Sequence, residues 1–139
     1  MVMSIALWPV FEDGHKHSLC DEGISPLRAY ERLDAIAVAA GYRPLEAFDQ
    51  HADVPDDVVA RSAEAAQDGL PDLSGFPVAW HDPADAVATI DVILAALGSP
   101  ELQWDGTNSP EEVASDLKAI RQTLQQAVTR QTRFNFTII

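Results

Sequence analysis

The sequence predicts an α+β domain: a small sheet of two to four strands, formed with the N- and C-terminal strands, packed on about four helices. Three observations predict it. Ser or Asp stands immediately before Pro at 25–26, 82–83 and 109–110, the arrangement of an N-cap followed by a first-turn proline. Behind each of these sites apolar residues recur at helical spacing. The two chain ends, by contrast, are rich in β-formers.

In chain order, "SIALWPVF" is a short apolar run that reads as the first strand, and the proline in Trp8-Pro9 marks it as an edge strand or a bulged one. "SPLR" at 25–28 predicts a helix start capped by Ser25. Leu33, Ile36, Ala37 and Ala40 then line one face, with Gly41 as the C-terminal stop. "VPDD" at 54–57 marks a weaker start, since valine caps poorly, for an alanine-rich helix near 56–67 lying toward the surface. "FPVAW" at 76–80 is read as a third short strand.

"WHDPAD" at 80–85 crowds a tryptophan, a histidine and two carboxylates. A helix start accounts for both carboxylates and the tryptophan, with Asp82 as N-cap, Pro83 at N1, Asp85 near the positive end of the helix dipole and Trp80 as a core anchor beneath; His81 remains, beside a helix N-terminus that disfavours its protonated form. Val87, Ile90, Ile93, Leu94 and Leu97 continue the helix to Gly98. "WDG" at 104–106 reads as a turn. "SPEE" at 109–112 is a capping box, followed by a stripe of Val113, Leu117, Ile120, Leu124 and Val128. "TRFNFTII" alternates Phe134, Phe136 and Ile138 with polar residues, as a strand with one buried face does.

A chain of 139 residues with 47% hydrophobic and 22% charged residues makes one ordinary globular domain spanning residues 1–139. Its single cysteine, Cys20, cannot form an internal disulfide and suits a reducing compartment. The N-terminus lacks the basic flank of a signal peptide, and no apolar run approaches the ~18 residues of a membrane span. A cytoplasmic location is expected.

The net charge is −13 and unevenly placed. From Pro44 to Asp116 there are sixteen Asp or Glu against one basic residue, Arg61. From Leu117 onward there are Lys118, Arg121, Arg130 and Arg133 and no acid. Such a surface repels phosphate backbones and anionic membranes, so neither nucleic acid nor membrane is an expected partner. Two accounts of the excess stand side by side, solubility alone or a surface shaped for a basic protein partner, and the sequence does not decide between them. Asp49, Asp53, Asp56, Asp57 and Glu64 lie in the segment least needed for the core and are the partner-binding carboxylates to watch.

"DGHKHSLCDE" at 13–22 offers His15, His17 and Cys20, with Asp21, as possible metal ligands, and His51 or His81 to complete a set. The H-x-H-x2-C spacing matches no established finger or ribbon, and a solvated loop whose histidines merely titrate is the simpler reading. Phosphate-loop, dinucleotide, zinc-protease and nucleophile-elbow motifs are all absent, so no cofactor and no catalytic residue is assigned.

"ALWPVFE", "PLEAF", "WHDPADAVATIDVIL" and the closing "EEVASDL…RFNFTI" resemble an uncharacterised family of small acidic bacterial proteins. The resemblance implies a fold and no activity. By size and charge the chain also compares with toxin-neutralising immunity proteins, an analogy only. The expected function is a non-enzymatic protein-binding module, possible neutraliser of a basic partner. The alternatives are a small metal-dependent enzyme or metal sensor built on the His15/His17/Cys20 loop, and an oligomeric structural protein pairing through an edge strand.

Overall fold

The computed structural model describes residues 6–19, 21–52, 54–65, 76–104 and 108–138. Among them are strand β1 (Leu7–Phe11), helices α1 (Ile24–Arg28), α2 (Tyr30–Ala39), α3 (Asp56–Ala65), α4 (Pro83–Leu97) and α5 (Pro110–Arg130), a 3-10 turn at Leu45–Phe48, and strand β2 (Phe134–Ile138). The α+β class and the pairing of the two end strands are as the sequence predicts. β1 and β2 run antiparallel with Leu7 opposite Ile138, Pro9 opposite Phe136 and Phe11 opposite Phe134.

Residue alternation sends Leu7 and Phe11 of β1, and Phe134 and Phe136 of β2, into one core with helix side chains from Leu33, Phe48, Ile90, Ile93, Leu117, Ile120 and Leu124. Phe48 stacks on Phe134 at 5.8 Å between centroids, and Phe134 meets Phe136 edge-on at 5.0 Å. α4 packs along α5, and α5 reaches back to α1 and β1. No helix among the described residues is long and apolar enough to cross a membrane.

The proposed third strand does not form. Residues 77–80 run past β2 without joining its ladder, and only His81 pairs with Phe134, through His81 N–H to Phe134 O at 2.7 Å and Phe134 N–H to His81 O at 2.9 Å. On the far side of β1, Leu7 N–H donates to Gly23 O at 3.0 Å, Pro9 has no N–H to offer, and Gly14 N–H donates to Phe11 O at 3.0 Å. A second chain pairing with this edge would have to displace those bonds.

Ser25 is not a cap. α1 begins two residues earlier than expected, with Gly23 at the N-cap position and no side-chain cap, and Ser25 is buried inside the helix. Gly23 is required by space, since a Cβ there would sit 2.0 Å from Leu7 O. α2 buries Leu33 and Ala37, leaves Ile36 half-buried and ends before Ala40, which is exposed. Its end is a Schellman motif: Gly41 N–H bonds Val38 O at 3.0 Å, Tyr42 N–H bonds Ala37 O at 2.9 Å, and Gly41 takes φ +84°.

The α5 stripe is Val113, Leu117, Ile120, Leu124 and Ala127, not Val128. Two successive steps of four would rotate the stripe by about 80° around a helix of 3.6 residues per turn, so a step of three restores the face. At 21 residues α5 is about 31 Å long. It carries Glu111 and Glu112 in its first turn and Arg130 in its last.

Candidate functional site

The "WHDPAD" stretch is a helix start. Asp82 accepts a hydrogen bond from Ala84 N–H at 2.9 Å, and Pro83 is buried in the first turn. Asp85 is exposed and lies 3.7 Å from Arg43. His81 is fixed by its bridge to Phe134, by its Nε2 at 3.1 Å from Asp49 O, and by edge contact with Phe48 at 5.7 Å. Trp80 is half-buried and stands outside the core cluster, whereas Phe48, on which the His81 ring packs, is fully buried in it.

In the 13–19 loop the two histidines differ. Leu19 N–H donates to His17 Nδ1 at 3.2 Å, which leaves the ring proton on Nε2, and Nε2 donates to Pro9 O at 2.9 Å. Both ring nitrogens are therefore occupied by backbone. The ring lies 4.4 Å from that of Trp8 and edge-on to Phe11 at 6.0 Å. Ligation of a metal by His17 would require giving up one of these bonds. His15 is exposed, its backbone N–H donating to Asp13 Oδ1 at 3.0 Å and its ring edge-on to Phe11 at 6.4 Å. Cys20 lies outside the described residues. Among the described residues, no group of three His, Cys, Asp or Glu is arranged to hold a metal ion.

Of the five carboxylates singled out from sequence, the side chains of Asp49, Asp57 and Glu64 are described. Asp49 is half-buried and builds a turn, its Oδ1 accepting from His51 N–H at 2.7 Å. Asp53 lies outside the described residues, and Asp56 is placed only as the first residue of α3. Asp57 and Glu64, seven apart on α3, share its exposed face, with Arg61 between them and 3.3 Å from Asp57. Both members of that pair are more than two-thirds exposed, so it contributes little stability.

A denser acidic feature forms where α1 meets α5. Asp21 and Glu22 precede α1, Glu112 and Asp116 lie on the first turns of α5, and the four line a cleft of about 300 Å³ with Arg28 at its edge. Ser25 Oγ donates to Asp116 Oδ2 at 2.5 Å and ties the two helices together across its floor. Asp21 and Glu22 fall outside the 44–116 acidic run, and Glu112 reads in sequence only as a capping residue. Only the packing of α1 on α5 joins them, and no spacing in the sequence reports it.

Arg28 lines this cleft beside the four carboxylates and offsets part of their charge. Arg43 pairs with Asp85, Arg121 with Asp91, Arg130 with Asp13 and Arg133 with Glu12. Glu64, Glu101, Glu111 and Glu112 form no ion pair among the described residues.

One further carboxylate is unusual. Asp34 accepts Leu45 N–H at 2.6 Å and Glu46 N–H at 3.4 Å, capping the 3-10 turn. Burial nevertheless pushes its carboxyl up to about 6, because desolvation outweighs those two donors. The neighbouring Tyr30 hydroxyl is also raised, first by burial and then by Asp34, Asp49 and Glu46. These groups serve the packing of α2 on the 3-10 turn.

No protein-family model matches the chain, and neither a curated protein nor a solved structure is found similar to it. The functional reading is therefore carried by fold and site geometry.

Proposed function

We propose that the protein is a non-enzymatic binding module that recognises a basic surface of a partner protein. The observation that carries this reading is the α1–α5 cleft, where Asp21, Glu22, Glu112 and Asp116 converge in a chain of net charge −13. Carboxylates in a concave site focus negative potential, and a guanidinium entering it makes short, charge-assisted hydrogen bonds. The field also steers a cationic partner toward the cleft during encounter. The exposed Asp57–Glu64 face of α3 adds to that field at longer range. Neutralising a basic toxin in the cytoplasm, by analogy with immunity proteins, is the specific form of this reading.

The test is capture on immobilised full-length protein from the source cells at low and at high salt. A basic protein should be retained at low salt, released by high salt, and lost when Asp21→Lys and Glu112→Lys are combined. Retention of no basic protein at low salt, or retention indifferent to the double reversal, counts against the reading.

A further inference from the structure

We infer that a second cleft, along the edge of β1 away from β2, binds a small aromatic carboxylate. This cleft measures about 380 Å³, near the lower end of the range for small-molecule sites, and is formed by β1 and the turn that follows it. Its walls are Trp8, Val10, Phe11 and the His17 ring, and its rim is His15 and Lys16. Trp8 and Val10 point outward because strand alternation commits Leu7 and Phe11 to the core, and Val10 is left 36% exposed. His17 is a fixed wall, since backbone groups of Pro9 and Leu19 hold both its nitrogens. The Trp8 ring lies 4.4 Å away and tilted 48° to it, and its face offers a flat ligand ring a place to stack against this fixed wall.

The charge around this cleft is opposite to that of the molecule. The two carboxylates beside it are already engaged: Glu12 accepts Arg133 Nε at 2.9 Å and the terminal guanidinium nitrogen at 2.6 Å, and Asp13 accepts Arg130 Nε at 3.0 Å. Lys16 is exposed and forms no ion pair among the described residues, and the His15 ring contacts only the edge of Phe11, at 6.4 Å. The side-chain polar groups at the rim of this cleft are thus an ammonium and an imidazole, while Glu22 lines an adjoining cleft with the same two residues. Apolar walls with a cationic rim select a ligand with an aromatic body and one anionic group. A cationic ligand would meet like charge at Lys16, and a neutral one would forgo the charge-assisted bond that Lys16 offers. This inference is independent of the acidic cleft, and either can fail without the other.

The test titrates the 15N-labelled full chain with indole-3-acetate and, separately, with indole-3-acetamide, following amide and indole N–H resonances, the Trp8 indole being assigned by Trp8→Phe. The acid should shift Trp8, His15, Lys16 and His17 saturably, and the neutral amide should bind about fivefold more weakly or less, the loss expected for one exposed charge contact. Lys16→Glu should reproduce that loss with an unchanged spectrum elsewhere, and Val10→Glu should abolish binding. Equal affinity for acid and amide, saturable shifts centred on Trp80 or Trp104, or no saturation would overturn the assignment. So would binding of an acidic peptide here when indole-3-acetate fails.

Discussion

Ser25 Oγ donates to Asp116 Oδ2 at 2.5 Å, joining residues 91 apart in sequence. The hydroxyl is buried, and its acceptor is a carboxylate of the acidic cleft. Removing the donor leaves that carboxylate short of a partner, so Ser25→Ala should cost about 1–3 kcal/mol, measured as a lowered denaturation midpoint. A loss below about 0.5 kcal/mol would place the bond among ordinary surface contacts.

Gly23→Ala should be at least as damaging. The backbone at Gly23 has an ordinary φ of −84°, so the penalty is steric: the new methyl would meet Leu7 O at 2.0 Å, and β1 and α1 must part to admit it. Overpacking of this kind costs about 1–3 kcal/mol, sometimes more. Thermal unfolding of the variant with an unshifted midpoint would contradict the close approach.

Gln131 ends α5 in the left-handed region at φ 58°, ψ 39°, with Thr132 N–H bonded to Ala127 O at 3.2 Å. A side chain there is strained by about 1–2 kcal/mol, and glycine is not. Part of the gain is offset by the greater freedom of glycine in the unfolded chain. Gln131→Gly should therefore stabilise the protein by about 0.5–1 kcal/mol in equilibrium unfolding; destabilisation would argue against the Schellman ending.

The loop histidines are predicted to behave unequally. His17→Ala removes two hydrogen bonds and a ring packed on Trp8, and should lower stability by about 1–3 kcal/mol. His15→Ala should stay within about 0.5 kcal/mol of wild type. Neither effect should depend on a chelator. A metal site would instead make the two variants alike and chelator-sensitive, because a bound structural metal contributes directly to folding.

Asp34 gives a pH dependence with a definite sign. Its folded value of about 6 lies above the ordinary 3.8, so the folded state holds the proton more tightly. Its contribution to stability is complete below the unfolded value and is lost as pH rises through about 6. Asp34→Asn removes the titration, so the stability of wild type relative to this variant should fall between pH 4 and pH 7. A carboxyl carbon titration by NMR should find the midpoint near 6.

The helices at 83 and 110 were legible because cap, first-turn proline and apolar period agree, and Asp82 and Ser109 do cap them. The end strands were legible from β-formers and alternation. Ser25 misled because the same Ser-Pro signature serves there inside a helix, with the hydroxyl committed to a residue the sequence does not connect to it. "FPVAW" has strand composition, but its segment turns into α4 after a single bridge at His81. Of the site, the acidic excess was visible and its placement was not. Charge counts along a chain report composition, whereas the cleft depends on α1 packing against α5. The Trp8–His17 surface was hidden for a related reason: a histidine's partners follow from loop geometry, not from its neighbours in sequence.

Recognition of a basic partner through the α1–α5 cleft is tested most directly by the association rate of the captured partner as ionic strength rises from about 0.01 M to about 1 M, where the screening length shrinks from about 30 Å to about 3 Å. For wild type the rate should fall at least about tenfold across that range. Asp21→Lys with Glu112→Lys should remove most of this dependence and slow association at low salt, and should do so more than Asp57→Lys with Glu64→Lys. A wild-type rate unmoved by salt, or a larger loss from the α3 pair than from the cleft pair, would contradict the assignment.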